Sequence, residues 1–453
     1  VTGKPPPGTG TTPQPAPGIS VPTAPVVDDP MLAPVTRANV EIRTWEDALA
    51  HIRARSTDLR IAAAQIERAR AQQRIALAGA LPSLNGTAAF THNIITNPSV
   101  QFVRAGNGFT TRDVNVPFPN FLTGQLQFVQ PVIAPRAWYN IRTAAIATEA
   151  AKLSFDDAKR QIAISVADGI VGVVTAERIA ELNRVGLRNA LQRFELTARK
   201  SALGAATGLD VVRARQDVEV ARATLVEGDE TLRQARETLG LVLGFPEQVG
   251  VPPEVDISGL EKDAQSTCKV APSLEERPDV AAQRTEAIVA ERNVTDVKLQ
   301  FSPTVNLQSG VSTTTIDTGA APNTTWNVQA VLSVPLWEGG ARYGLLRDAR
   351  AQREIAGQEL EAIRRRANVE ITRARRGVTV ASDRRRVAAA ARDLAAETDR
   401  LTRTAYQEGR GTSLELVTAA QALREAEIQL ALRDFDLVQA RVAAVLALAT
   451  CPW

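Results

Sequence analysis

Residues 324–334 read Thr324-Thr-Trp-Asn-Val-Gln-Ala-Val-Leu-Ser-Val334. Trp326, Val328, Ala330, Leu332 and Val334 recur at every second position, and Asn327, Gln329 and Ser333 fall between them. A period of two is that of a β-strand, whose side chains alternate between two faces. One face is apolar and the other is polar but uncharged. That is the pattern of a barrel strand with lipid outside and water inside. A hairpin of a soluble sandwich, with its aromatics in the core, is the competing reading for one such segment taken alone.

The same pattern recurs where charge is missing. No charged residue occurs between Arg74 and Arg104, a gap of 29 residues in which a 23% charged composition predicts about six or seven. Further gaps span 114–135, 299–316 and 318–337. In the first, Leu84, Gly86, Ala88, Phe90 and Ile94 alternate with Asn85, Thr87, Ala89, Thr91 and Asn93. In the second, Leu126 and Phe128 alternate with Gln125 and Gln127; in the third, Val305, Leu307 and Val311 oppose Thr304, Asn306, Gln308 and Ser312. Strands are therefore expected at about 82–94, 123–131, 303–313 and 325–334. Of 19 aromatic residues, eight fall in 90–139 and four in 301–343. Trp138, Tyr139, Trp337 and Tyr343 stand just beyond the second and fourth strands, where the aromatic girdle of a membrane barrel lies.

Outside the gaps the chain is helical in character. No proline occurs between Pro135 and Pro246 or between Pro335 and Pro452, and both runs are rich in Ala, Arg, Glu, Leu and Gln. Each run breaks once, around Gly204–Gly208 and around Gly409–Thr412. Helices are expected at about 136–200, 208–243, 340–405 and 412–449. At 1.5 Å per residue the longer ones reach ~100 Å, which no compact domain requires. The shorter ones carry heptads, Val211, Val218, Leu225, Leu232, Leu239 and Leu416, Leu423, Leu430, Leu437, Ala444. A soluble coiled coil would explain the heptads alone.

Subtracting 205 lays the second heptad on the first. Gly204 then matches Gly409, Thr207 matches Thr412, and Asp210 matches Glu415. The chain is a tandem repeat, each half reading helix, strand, loop, strand, long helix, turn, helix. Residues 41–245 form the first repeat, 246–275 a connector and 276–450 the second repeat. The first pair of strands has 17 extra residues between them, including Gly106-Asn-Gly108 and Pro117–Pro119, read as loop. Residues 1–40 hold ten of the 25 prolines and read as an extended tail. Residue 1 is Val and the only Met is Met31, which fits a processed chain.

Four amphipathic strands do not close a barrel, and open edges are not tolerated in lipid. Three copies would give twelve strands. The expected fold is thus an α+β membrane protein: a tandem-repeat protomer of a trimeric twelve-stranded β-barrel, four strands per chain, continued by a long α-helical barrel.

Composition excludes much else. The chain has 453 residues, with Lys plus Arg 53 against Asp plus Glu 50, a balance that argues against nucleic acid as a partner. Two His, His51 and His92, and two Cys, Cys268 and Cys451, make no metal module, and no cofactor is expected. P-loop, GxSxG, HExxH and dinucleotide motifs are absent, so an enzyme is not expected. A soluble periplasmic coiled-coil adaptor would need a single helical hairpin, whereas the hairpin occurs twice.

Particular motifs also resemble a known family. Arg277-Pro-Asp-Val280 leading to Phe301-Ser-Pro-Thr304, Pro335-Leu-Trp-Glu-Gly-Gly340, and Tyr406-Gln-Glu-Gly409 running on to Leu423 are similar, in order and spacing, to those of TolC-like outer-membrane efflux proteins. The resemblance implies a homotrimer in the outer membrane of a Gram-negative bacterium, in contact with its lipid and with a large periplasmic portion. It implies a passive exit duct for a tripartite efflux pump or type I secretion system. Its partners would be a periplasmic adaptor and an inner-membrane transporter. It also implies a gate at the periplasmic tip. Glu415 falls on the family's first acidic position and Asp210 is its counterpart, whereas the next family aspartate falls on Thr418. The local alternative is that Asp210 and Glu415 serve their helix N-termini, with Gly204, Thr207, Gly409 and Thr412 shaping the turns. In this architecture Cys268 and Cys451 lie near the outer middle of the tube, either bonded or as unrelated thiols. Many such proteins carry a lipidated N-terminal Cys, which would make the mature chain a lipoprotein.

Overall fold

A computed structural model describes residues 25–94, 99–106, 108–114, 120–252, 259–316 and 322–453. The first repeat runs β1 (Val40–Glu41), α1 (Trp45–Arg55), α2 (Thr57–Ala78), β2 (Ser83–His92), β3 (Ser99–Ala105), β4 (Gly108–Val114), β5 (Asn120–Ile133), α3 (Pro135–Ala202) and α4 (Gly208–Leu243). The connector holds β6 (Val249–Gly250), α5 (Leu260–Thr267) and β7 (Lys269–Val270). The second repeat runs α6 (Pro278–Leu299), β8 (Thr304–Thr314), β9 (Thr324–Ser333), α7 (Ala341–Gln407), α8 (Ser413–Leu446) and β10 (Ala449–Thr450).

Strands β2, β5, β8 and β9 form one antiparallel sheet in that order. Its register places Leu84 beside Phe128, Leu126 beside Val311, and Val311 beside Trp326. The alternating apolar positions of all four strands therefore share a face. Leu84, Phe90, Leu126, Trp326, Val328 and Leu332 on that face are all exposed, Trp326 by 74%. The opposite face carries Gln125, Gln127, Gln308, Asn327 and Gln329, with Gln329 donating to Gln308 at 3.2 Å. Such a sheet is built inside out relative to a soluble one.

The inserted segment of the first repeat is more than a loop. β3 and β4 pair as a separate hairpin, Ser99 opposite Val114 and Ala105 opposite Gly108. Asn107 and residues 115–119, with Pro117 and Pro119, lie outside the described residues. The charge map passed over this hairpin because its strands carry Arg104, Arg112 and Asp113.

Among the described residues no helix is long and apolar enough to cross a membrane. Helices α3 and α7, with 68 and 67 residues, are each ~100 Å long. Helix α3 packs against α2, α4, α6 and α8, and α7 packs against α6 and α8. Within the α3–α4 hairpin the heptad seam is dry: Val218, Leu225, Leu232 and Leu239 are buried, with Ala214, Ala221 and Gly228 between them. Glycine at 228 leaves room for the Asn183 amide, which a Cβ would meet at 2.5 Å and displace.

The main core lies midway along the rods. Trp45, Leu49 and Ile52 of α1 join Val166 and Ile170 of α3, Leu239 and Leu243 of α4, Leu260 of α5, and Val442 and Leu446 of α8. Two short ladders close this belt, β1 parallel to β6 and β7 antiparallel to β10. Cys268 and Cys451 are bonded beside the second ladder. A buried ion cluster ties the repeats together beneath it. Arg277 reaches Asp279 at 2.8 Å and Glu370 at 2.6 Å and donates to the Ala447 carbonyl at 2.9 Å, while Arg160 of the first repeat pairs with Asp157 at 2.8 Å and reaches across to Glu370 at 3.7 Å. Pro278, at the first position of α6, has no N–H to leave unsatisfied.

One expectation needs correction. Residues 1–24 lie outside the described residues, but 25–41 are not a free tail. They run extended along the α3–α4 hairpin. Asp29 pairs with Arg222 at 2.7 Å, and Arg236 donates to the Thr36 carbonyl at 2.8 Å. Met31 and Leu32 pack on the cluster of Leu187, Val218 and Leu225, and Val35 packs beside Leu232. Pro25, Pro30 and Pro34 leave residues 25–39 with no more than a single 3-10 turn at Pro30–Leu32, so arginine side chains and apolar anchors hold the strap until β1 joins β6.

Candidate functional site: the helical tip and the sheet rims

At the far end of the rods both hairpins turn in the same way. Helix α3 ends before Gly204 at φ +73°, and α7 ends before Gly409 at φ +75°, left-handed positions suited to glycine. Each following helix opens with a reciprocal capping box. Thr207 Oγ1 accepts from the Asp210 N–H at 3.3 Å, and Asp210 Oδ2 accepts from the Thr207 N–H at 3.0 Å. Thr412 Oγ1 accepts from the Glu415 N–H at 3.2 Å, and Glu415 Oε2 accepts from the Thr412 N–H at 2.8 Å. The Thr418 hydroxyl donates back to the Leu414 and Glu415 carbonyls at 3.0 Å.

The two acids then part company. Asp210 also accepts from the Ser413 hydroxyl, so it bridges the two turns. Ser413 first, then the Thr207 N–H and hydroxyl, hold the Asp210 carboxyl below its ordinary value. Glu415 is held low by the Thr412 N–H and hydroxyl alone, and it stays exposed. Two further bridges join the hairpins. Lys200 donates to the Tyr406 carbonyl at 3.5 Å and stands 4.0 Å over the Tyr406 ring. Buried Asp217 accepts from Arg193 at 2.6 Å and from Gln421 at 2.9 Å. Ser413, Lys200 and Asp217 were not singled out from sequence, because contacts across more than 200 residues leave no local pattern.

At the other end, Trp138 and Tyr139 stand in the first turn of α3, and Trp337 and Tyr343 flank the start of α7. Trp138, Trp337 and Tyr343 are exposed. Tyr139 instead stacks under Arg292 at 4.0 Å, and Tyr343 meets Phe301 edge-on at 5.5 Å. No group of three or more His, Cys, Asp or Glu side chains among the described residues is placed to hold a metal ion.

A sheet with its apolar face outward, prolonged by paired ~100 Å helices that end in capped turns, defines a membrane-barrel sector joined to a helical wall. The model of the family "Outer membrane efflux protein" matches residues 48–245 and 271–450. The chain belongs to the outer membrane efflux protein family.

Among curated relatives, Nodulation protein T of Rhizobium leguminosarum bv. trifolii is 25% identical over 304 residues, 64% of this chain and 64% of its own length. The cation efflux system protein CusC of Escherichia coli O6:H1 is 24% identical over 384 residues, 81% of this chain and 77% of its own length. Among solved structures, a membrane protein from Pseudomonas aeruginosa superposes with a TM-score of 0.73 at 21% identity, covering 94% of this chain and 99% of that one. The outer membrane protein VceC from Vibrio cholerae superposes with a TM-score of 0.72 at 19% identity, covering 89% and 95%. These likenesses establish the fold.

Proposed function

We propose that three copies of this chain close a twelve-stranded barrel in the outer membrane, four strands from each. The helices then form a periplasmic tube with a gate at its tip. The assembly is a passive exit duct, served by a periplasmic adaptor and an energised inner-membrane transporter; that it works within an efflux system is in line with the name of the cation efflux relative. The observation that carries this reading is the sheet. Its apolar face is exposed, its other face is lined by uncharged amides, and among the described residues its edge strands β2 and β9 each have a single neighbour. Such edges in lipid must be paired, and a head-to-tail ring of copies pairs them all. Trp138, Tyr139, Trp337 and Tyr343 would mark the periplasmic rim of the membrane band. Glu415 and Asp210, three of each, would ring the tip and attract cations, with Thr418 beside them.

Detergent extraction and native mass measurement should give a trimer of 48.6-kDa subunits. A well-behaved monomer in detergent-free buffer would overturn the reading. In planar bilayers Glu415→Ala should raise single-channel conductance or weaken block by divalent cations. Unchanged conductance and block would remove Glu415 from the gate.

A further inference from the structure

We infer that the duct carries a binding groove for small amphiphilic organic anions in its lumen, at mid-height; this rests on the channel reading above. The groove, about 960 Å³, lies between α3, α7 and α8. Ile164, Val369, Val380 and Ala440 give it an apolar floor, and Arg366, Arg373 and Arg384 stand around it with Arg365, whose Nε donates to the Glu361 carbonyl at 3.1 Å.

Charge accounting decides the ligand class. Three acids also border the groove, Asp168, Glu370 and Asp436. Glu370 is already paired with Arg277 at 2.6 Å, and Asp436 with Arg433 at 2.7 Å. Asp168 accepts from Gln439 at 2.9 Å. Among the described residues Arg366, Arg373 and Arg384 have neither an ion pair nor a hydrogen bond, and all three are exposed. The surplus is therefore guanidinium, beside an apolar floor. A carboxylate, sulfonate or phosphate ester on an apolar body matches both features. A metal cation matches neither.

The groove's orientation follows from helix periodicity. On α3 the core belt buries Ala163, Val166, Ala167 and Ile170, whereas Asp168, with Gln161 and Ser165, is exposed on the opposite side. The belt of α1, α5 and the two ladders thus occupies one face of the helical wall, and the groove opens on the other. In a closed tube of three copies the bulky belt must face outward. The groove then faces the lumen, and three copies would bring nine of these arginines to one level of it. Above it the polar face of the sheet carries uncharged amides and hydroxyls, and below it the proposed tip carries carboxylates, so the arginines form a cationic station between them.

The test uses the trimer in lipid nanodiscs with two probes of similar size. These are naphthalene-2-sulfonate and (2-naphthylmethyl)trimethylammonium, and binding is read by equilibrium dialysis. The sulfonate should bind roughly tenfold tighter than the cation. Arg366→Gln/Arg373→Gln/Arg384→Gln should abolish that preference, and Arg373→Gln alone should reduce it about threefold, which covers the case of a triple variant that fails to assemble. Equal binding of both probes, or an unaltered preference in an assembled triple variant or in Arg373→Gln, overturns the groove. A conducting trimer that binds neither probe overturns the groove and leaves the duct intact. A non-conducting soluble monomer overturns the duct, and the groove with it.

Discussion

The two helical hairpins are copies of one design, yet they are finished differently. In the first, α3 and α4 bury their seam within the protomer: Leu225 is 1% exposed, Leu232 2% and Leu239 0%. The strap of residues 25–41 adds a further layer through Asp29, Met31, Leu32 and Val35. In the second, the matching Leu430 and Leu437 are only half-buried, and α7 leaves Val387, Leu394 and Leu401 at 65%, 72% and 53% exposure. Apolar residues spaced by seven along a free helix edge form a seam without its partner. Duplication supplied two equivalent hairpins. Divergence then made one self-sufficient and left the other more open along α7.

The largest expected effect tests this asymmetry directly. Leu225→Ala should destabilise its hairpin by ~2–5 kcal/mol, the usual cost of truncating a fully buried leucine. Its counterpart Leu430→Ala should cost less than half as much, read by hydrogen exchange along α4 and α8. Equal losses would show that α8 is as completely packed as α4. Next is the bond between Cys268 and Cys451, 183 residues apart, which ties the end of the second repeat to the connector. Cys451→Ser should cost ~2–4 kcal/mol. The loss should appear as faster exchange in α8 and β10, with α4 little changed. A uniform loss along both hairpins would mean that the bond does not serve the second repeat in particular.

The caps sharpen the comparison at the tip. Thr207→Ala and Thr412→Ala each remove a capping box, worth ~0.5–2 kcal/mol. Thr207 also positions Asp210, which holds Ser413 of the other hairpin. Thr207→Ala should therefore loosen both turns, and Thr412→Ala mainly its own. Proteolytic nicking at 203–207 and 408–412 distinguishes them, and identical nicking patterns would deny Asp210 its bridging role.

Much of this was legible in the sequence because it is periodic. Strand alternation in 324–334, the heptad from Val211 to Leu239 and the 205-residue offset are local or translational regularities, and the sheet and hairpins follow them. What escaped was set by tertiary partners. The strap looked like a tail because its anchors, Met31, Leu32 and Val35, gain meaning only against the α3–α4 groove. The β3–β4 hairpin escaped because it carries charge, and the charge map counted only uncharged strands. Asp210 and Glu415 stood out as a matched pair. That one bridges the turns and the other does not depends on Ser413, which no spacing rule connects to Asp210.

The smallest effect is the dependence of the tip on pH, and its sign is fixed by the direction of the shifts. Asp210 is held below its ordinary value of 3.8 by Ser413 and Thr207, and Glu415 below 4.5 by Thr412. A carboxyl whose folded-state value is depressed stabilises the fold above its unfolded value and loses that contribution as the pH falls through the folded one. Both turns should hold constant protection from neutral pH down to about pH 5 and loosen only below it, since each carboxylate must remain ionised to accept its bonds. Glu415 is exposed and Asp210 only half-buried, which keeps the effect small. The first turn should respond in both hairpins, because protonating Asp210 weakens the Ser413 bridge as well as the Thr207 cap, and Asp210→Asn should remove that shared response. Hydrogen exchange at the tip, corrected for the intrinsic pH dependence of exchange, measures it. Loosening that begins between pH 7 and pH 5 would mean that neither acid governs the turns.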